Sequence, residues 1–453
     1  MNAVTPDTSL NPTQTRGHLL RVLGFGFGLA VIIGNTIGGG IFRTPGAIAA
    51  NLPNVWLFLS VWLVGGLYAL LGAISIAELG AMIPRSGGQY VFARYALGEY
   101  AGFIVGWTDW LSTCGSTGAV ALVIGTFTVA LFPAIAAAYT SQAVAASIII
   151  LFGLLQWRGI VMGSTAQNIT SLLKAVAFMG LIAAAFVLGG GGSFAHGQAQ
   201  TQSGLIGFGL VTGIVLSLQA VIYTYDGWTG VIYFSEEVKN PGVDVPRSMI
   251  GGVLLVIAIY LLVNIAILYV LPMQQLIGKD FAAGEAANVL FGRFGDPIFR
   301  WLTIVSMLST INACHLMATR VLFAMSRDGL LASRMANVNK GGTPAASLFV
   351  TVLVSLLVVI FGQTFDKIIT VVAFFFVAAY ILSFISVFVL RQREPERDRP
   401  YRTWGYPWTT GTVLVGSVLF LAGAIASDTR NSLYALVLLA VSYPVFRLMK
   451  RVG

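Results

Sequence analysis

Gly34-Asn35-Thr36-Ile37-Gly38-Gly39-Gly40-Ile41-Phe42-Arg43-Thr44-Pro45 interrupts an apolar run that begins near Leu19 and resumes to about Ala50. Three consecutive glycines suit a continuous helix poorly, since each costs about 1 kcal/mol relative to alanine. In a bilayer core the backbone groups freed by a break find no water. A break therefore persists only where it is buried in protein or lines a cavity. A helix that restarts in mid-membrane presents free amide N–H groups and the positive end of its dipole, a ready site for a carboxylate. Small residues alone also let two helices pack closely. Three glycines in a row, followed by Ile41-Phe42, favour the break.

Around this stretch the chain of 453 residues is 57% hydrophobic and 9% charged. Several apolar runs exceed the ~20 residues needed to cross a bilayer. The fold class that follows is an all-α polytopic membrane protein rather than a string of soluble domains. The net charge of +9 is not a nucleic-acid footprint, because Lys and Arg are scattered over short connections. The first apolar run is too long for a secretory signal peptide and lacks a small-residue cleavage site. Cys114 and Cys314 fall inside predicted spans and read as small packing residues with no disulfide. The three histidines are far apart, and no nucleophile–base or metal-ligand spacing occurs. An enzyme, a metal and a cofactor are not expected.

Spans are predicted near 21–50, 55–83, 99–131, 141–157, 164–188, 204–236, 247–271, 297–326, 345–362, 367–390, 407–426 and 430–447. That makes about twelve, preceded by a polar tail over 1–18. An even count places both ends on one side. With the N-terminus inside, nearly all Lys and Arg of the connections fall on the inner side. Only Lys279, Arg293, Arg300, Lys367 and Arg430 fall on the other, so both termini are predicted to be cytoplasmic. Arg43 and Lys174 are left within the membrane. The link from Pro84 to Tyr90 is too polar and Gly-rich to be a span. The outer segment from Pro272 to Asp296 is long enough for a short helix that caps a pathway. Glu394 to Arg402 reads as a solvated cytoplasmic loop, and Gly189 to Gly192 as a flexible tether.

A second interruption lies in Tyr223-Thr224-Tyr225-Asp226-Gly227-Trp228, where Asp and Gly in mid-span again oppose a regular helix. An intramembrane carboxylate costs about 2.5–3.5 kcal/mol on insertion scales. Breaks in the first and sixth of about twelve spans are what a five-plus-five inverted repeat gives, 19–188 against 204–390, with 407–447 outside it and the substrate site between the breaks. Asp226 either attracts a cationic group or caps the second half of its span, the capping role being preferred. Asp109 is expected to be buried against polar neighbours. Lys174 lies about ten residues into its span, ~15 Å from the near end. Its stem cannot snorkel that far, so it finds a polar pocket or loses its proton.

In order along the chain come Ile37-Gly38-Gly39-Gly40-Ile41-Phe42, then Glu78 with Pro84-Arg85-Ser86-Gly87-Gly88-Gln89-Tyr90, then Lys174. Tyr225-Asp226-Gly227-Trp228, Glu236-Glu237-Val238-Lys239-Asn240-Pro241, Val245-Pro246-Arg247 and Arg320 to Leu330 follow. As an ordered set over about the first 400 residues, this resembles the amino acid–polyamine–organocation permeases, in particular their L-type amino acid transporter branch. The resemblance implies a LeuT-type fold, a five-plus-five inverted repeat plus two extra helices, and amino acid transport by alternating access. It also implies that the substrate carboxylate meets the amides of Gly38, Gly39 and Gly40, and the α-ammonium the carbonyls of Ile37, Tyr223 and Asp226. Thr224 belongs to the same site; Tyr223 is a gating wall, and Trp228 is either a wall or plain packing. Gly39 stands where a Ser is frequent in the family, which withdraws the expectation of a side-chain hydroxyl on the carboxylate. The position of Lys174 implies an ammonium in place of the sodium of coupled relatives, tethering the first break to span 8 near Ser306 or Ser309. Glu78, Arg85, Glu236, Glu237, Lys239, Arg247 and Arg327 form either an inner gate of ion pairs or a static anchor.

The function expected is sodium-independent transport of small to medium neutral L-amino acids, as an exchanger or coupled to protons, in a bacterial inner membrane. Cationic amino acids come next because of Asp226. A sensor that binds without transporting and a channel are the rivals from other classes. An accessory subunit is not required by anything in the sequence.

Overall fold

A computed structural model describes residues 19–132, 134–135, 139–195, 208–279, 281–361, 365–427 and 429–452. The tail over 1–18, the start of the span expected at 204–236, and the side chains of Lys367 and Arg451 lie outside the described residues. The described chain is helical: α1 (Phe25–Thr36), α2 (Gly40–Asn51), α3 (Val55–Met82), α4 (Gln89–Leu97), α5 (Glu99–Leu131), α6 (Ser141–Trp157), α7 (Ile160–Leu188) and α8 (Phe208–Tyr225). These are followed by α9 (Pro241–Val270), α10 (Ala282–Phe291), α11 (Gly295–Arg327), α12 (Ala345–Phe361), α13 (Phe365–Arg393), α14 (Trp408–Ser427) and α15 (Thr429–Val452). Among the described residues nine helices are long and apolar enough to cross a membrane. The pair α1 and α2, bent by 46° at its break, makes ten, and α6 and α12 are shorter apolar helices.

Local chemistry sets the helix ends. Asn54 caps α3, its side chain accepting from the amides of Trp56 at 3.0 Å and Leu57 at 3.1 Å. Thr140 caps α6 through the Ala143 amide. Pro241 occupies the first turn of α9, where its missing N–H has no partner to lose. The Pro272–Asp296 connection carries the short turn Met273–Leu276 and α10, as the length of that segment suggests. Its Gly278 amide bonds the Gly46 carbonyl at 3.0 Å, seating it on the end of α2.

Two connections differ from the sequence reading. The link beginning at Gly189 is docked rather than loose. Gly192–Ala195 forms a helical turn whose Ser193 hydroxyl donates to the Leu271 carbonyl at 2.7 Å. The charge run Glu394–Arg402 exposes Glu396, Asp398 and Arg402 as expected of a solvated loop, but Arg399 folds inward. Arg399 is 6% exposed; it donates to Glu78 at 3.1 Å and to the carbonyls of Leu390, Pro395, Glu394 and Arg397. Arg391 reaches the other Glu78 oxygen at 2.7 Å, and the Thr403 amide bonds the same oxygen at 2.8 Å. Glu78 thus pins α3 to the segment joining α13 and α14. At the rim of the run, Arg397 and Tyr95 bond Glu394 and hold its carboxyl below the usual carboxylate range.

Removing one member of a buried ion pair strands the other and costs about 3–5 kcal/mol. Glu78→Gln, which leaves Arg399 short of its charge, is expected to lower the unfolding temperature measured in detergent. Arg397→Gln, at the exposed rim, is expected to lower it by much less, since such pairs contribute about 0–1 kcal/mol.

Candidate functional site

Both expected interruptions exist, and they face each other. α1 ends at Thr36 and α2 begins at Gly40, with the Gly38 amide bonded to the Thr36 carbonyl at 2.9 Å. α8 ends at Tyr225 and is followed by a turn and one 3-10 segment, Gly230–Phe234. Gly227 sits in the turn at φ +113°, where a Cβ would lie 2.8 Å from the Thr36 nitrogen. Only glycine allows both that backbone and that approach. The Tyr260 hydroxyl, from α9, lies 2.7 Å from the Thr36 carbonyl and 3.0 Å from the Thr224 carbonyl, so one side chain joins the ends of both broken helices. Thr44 and Thr224 share a hydrogen bond of 2.8 Å from the α2 side.

A cavity of about 60 Å³ occupies the space between the breaks. Of the residues expected at the site, Gly38, Gly39, Gly40, Tyr223, Thr224 and Asp226 line it. Two expectations change. The Ile37 carbonyl accepts from the Lys174 ammonium and from the Ser306 hydroxyl at 3.0 Å, which fills both its lone pairs, and Ile37 does not line the cavity. Trp228 stacks on Tyr380 at 4.8 Å and would touch a Cβ on Gly72 at 3.0 Å, so it backs the wall rather than forming it. Asp226 is not a helix cap. Thr229 holds the N-cap position of the 3-10 segment, and the Asp226 carboxylate accepts from the Tyr380 hydroxyl. Thr36, Gln89, Ser116, Tyr233 and Tyr380 also line the cavity and were not singled out from sequence. They come from four helices and a 3-10 turn, brought together only by the fold.

Lys174 is fully buried. Its ammonium donates to the Gly34 carbonyl at 2.8 Å, to the Ile37 carbonyl, and to Thr310 Oγ1 at 3.4 Å. The tether from the first break to α11 is therefore made with Thr310, while Ser306 bonds Ile37 directly and Ser309 bonds Ser171 at 2.9 Å. Lys174 stands at the end of a polar stripe. Gln167 and Ser171 both bond the Ala30 carbonyl, at 3.2 and 2.7 Å. The spacing of 167, 171 and 174 puts all three on one face of α7. That spacing was a signal available in the sequence.

Below the cavity the charged residues sort themselves. Asp109 is buried, with the Tyr233 hydroxyl 2.8 Å from each of its oxygens. Arg320 meets Glu237 in a two-pronged pair at 3.0 and 3.1 Å, both side chains fully buried. Glu236 pairs with Arg327 at 2.8 Å, and Asp328 with Arg85 at 2.8 Å and Arg94 at 3.3 Å. Glu78 belongs to the separate clamp described above. Lys239 and Arg247 are exposed and make no ion pair among the described residues, so they are not part of this layer. On the far side of the cavity Phe42 packs on Phe178 and Phe299, each at 5.4 Å.

Two opposed helix breaks around a small polar cavity, with an ion-paired layer at one end, define a multi-pass membrane transporter rather than an enzyme. The chain belongs to the Amino acid permease family, whose sequence profile matches residues 25–443. It is 28% identical to the serine/threonine exchanger SteT of Bacillus subtilis, over 97% of this chain and 99% of that protein. It is 27% identical to the b(0,+)-type amino acid transporter 1 of Mus musculus, over 96% and 88%. Against the mouse large neutral amino acids transporter small subunit 2 it is 29% identical, over 85% and 73%. The protein is an amino acid transporter.

Lys174→Met removes the ammonium at similar volume and leaves the Gly34 and Ile37 carbonyls with one donor each, Thr310 and Ser306, so the first break loses its tie to α7. Substrate exchange in proteoliposomes is expected to be lost while the protein stays monodisperse in detergent; wild-type uptake would refute the tether. Glu236→Arg is expected to slow exchange, and Glu236→Arg with Arg327→Glu to recover most of it. A double variant no faster than the single one would make the pair a static anchor.

Proposed function

We propose that the chain exchanges small neutral L-amino acids, serine and threonine foremost, by alternating access and without sodium. The observation that carries this is the cavity between the two breaks. α2 begins there with the amides of Gly39 and Gly40, while the Gly38 amide meets the Thr36 carbonyl, and the positive end of its dipole favours the substrate carboxylate. The ends of α1 and α8 offer the opposite dipole to the α-ammonium. Size supports small substrates. One bound water takes roughly 10–15 Å³ of comparable space, so the cavity seats about four to six water-sized groups, close to alanine or serine. The name of the Bacillus relative points the same way.

The surrounding architecture in this reading is a LeuT-type fold. Helices from α1 to α7 form one repeat and those from α8 to α13 its inverted partner, with α14 and α15 outside, making twelve spans with both termini cytoplasmic. The excess of Lys and Arg on the ion-paired side supports that orientation and placement in a bacterial inner membrane. The ion pairs of Arg320, Arg327 and Arg85 are then the inner gate. Cationic substrates rank lower, because the Asp226 carboxylate beside the cavity is already engaged by Tyr380.

The test is labelled L-serine uptake into sodium-free proteoliposomes. Saturable uptake that requires unlabelled amino acid inside is expected. A sensor gives no flux, and a channel gives flux that does not saturate.

A further inference from the structure

One polar side chain at the first break is left unanswered by the packing. Thr36 is 4% exposed, its Oγ1 is buried without a hydrogen-bond partner, and the residue lines the cavity. Its neighbours are engaged. Thr224 Oγ1 donates to the Ala220 carbonyl at 2.8 Å, Thr310 Oγ1 to the Gly34 carbonyl at 2.9 Å, and Thr113 Oγ1 to the Asp109 carbonyl at 2.7 Å. An unpaired buried hydroxyl is destabilising. A threonine in the last turn of a helix has a ready partner in the carbonyl four residues back, and Thr36 does not take it.

We infer that Thr36 Oγ1 is a direct ligand of the substrate's α-ammonium, an assignment that rests on the amino acid reading above. Three placements select the ammonium over the carboxylate. Thr36 closes α1 and Tyr225 closes α8, so two helix C-termini, the negative ends of their dipoles, converge at this point. The hydroxyl faces the second break, since a Cβ on Gly227 would lie 2.9 Å from it. The amides suited to a carboxylate begin beyond it, at the start of α2. The Ile37 carbonyl is already taken by Lys174 and Ser306. Thr36 is the next oxygen along the break.

Thr36→Val keeps the shape of the side chain and removes the hydroxyl. Exchange of labelled L-serine and L-leucine is measured in proteoliposomes, with L-lactate, which carries a hydroxyl in place of the ammonium, as competitor. In Thr36→Val the KM of whichever amino acid the wild type exchanges is expected to rise about 10-fold, the loss of one hydrogen bond to a charged group. Inhibition by lactate is expected to stay unchanged, and Thr36→Ser to restore the wild-type KM. Thr36→Ala serves as the second hydroxyl-free variant if the valine protein does not fold. An unchanged KM in the hydroxyl-free variants overturns the assignment. So does an equal loss for lactate, which would put the hydroxyl on the carboxylate, and so does failure of Thr36→Ser to restore. No exchange of either amino acid by the wild type overturns the transport reading instead.

Discussion

A peptide group deprived of its helical partner in hydrocarbon must find another inside the protein. Most of this architecture answers that requirement at two places. The carbonyls released where α1 stops are those of Gly34, Thr36 and Ile37. They are met by a lysine from α7, a tyrosine from α9, and serine and threonine from α11. Three neighbouring helices each send a donor to one short segment. The break is consequently held in shape by the protein's own side chains.

The same economy governs charge. Carboxylates inside the bundle are tolerated here when each has a dedicated donor: Arg320 for Glu237, Arg391 and Arg399 for Glu78, Tyr233 for Asp109, and Tyr380 for the half-buried Asp226. The arginine pairs lie toward one end of the bundle and the tyrosine pairs beside the cavity. Full ion pairs suit a layer that holds helices together. Main-chain bonds add to this at the same end. The Leu23 amide meets the Glu237 carbonyl at 2.9 Å and the Lys239 amide meets the Leu23 carbonyl at 2.8 Å, lacing the approach to α1 to the exit from the second break.

Much of the site was legible in the sequence because glycine, aspartate and lysine in mid-span are conspicuous against an apolar background. Gly38 to Gly40, Asp226-Gly227 and Lys174 each violate a local rule, and each violation marks the site. What stayed hidden were residues that obey local rules. Thr36, Tyr260 and Tyr380 are unremarkable within their helices, and only tertiary packing gives them roles. Arg399 was misread for the opposite reason. A charge run is usually solvated, and nothing local says that one of its arginines folds back onto Glu78. Ile37 and Trp228 were assigned by position in a motif. The carbonyl that Lys174 claims, and the ring that Tyr380 covers, could not be inferred from spacing.

The ammonium on Lys174 is part of the chain. A metal cation bound at such a place can depart with the substrate and be replaced from the other side, carrying charge with each cycle. A covalently held one stays where it is. A protein built this way releases no metal ion from that position.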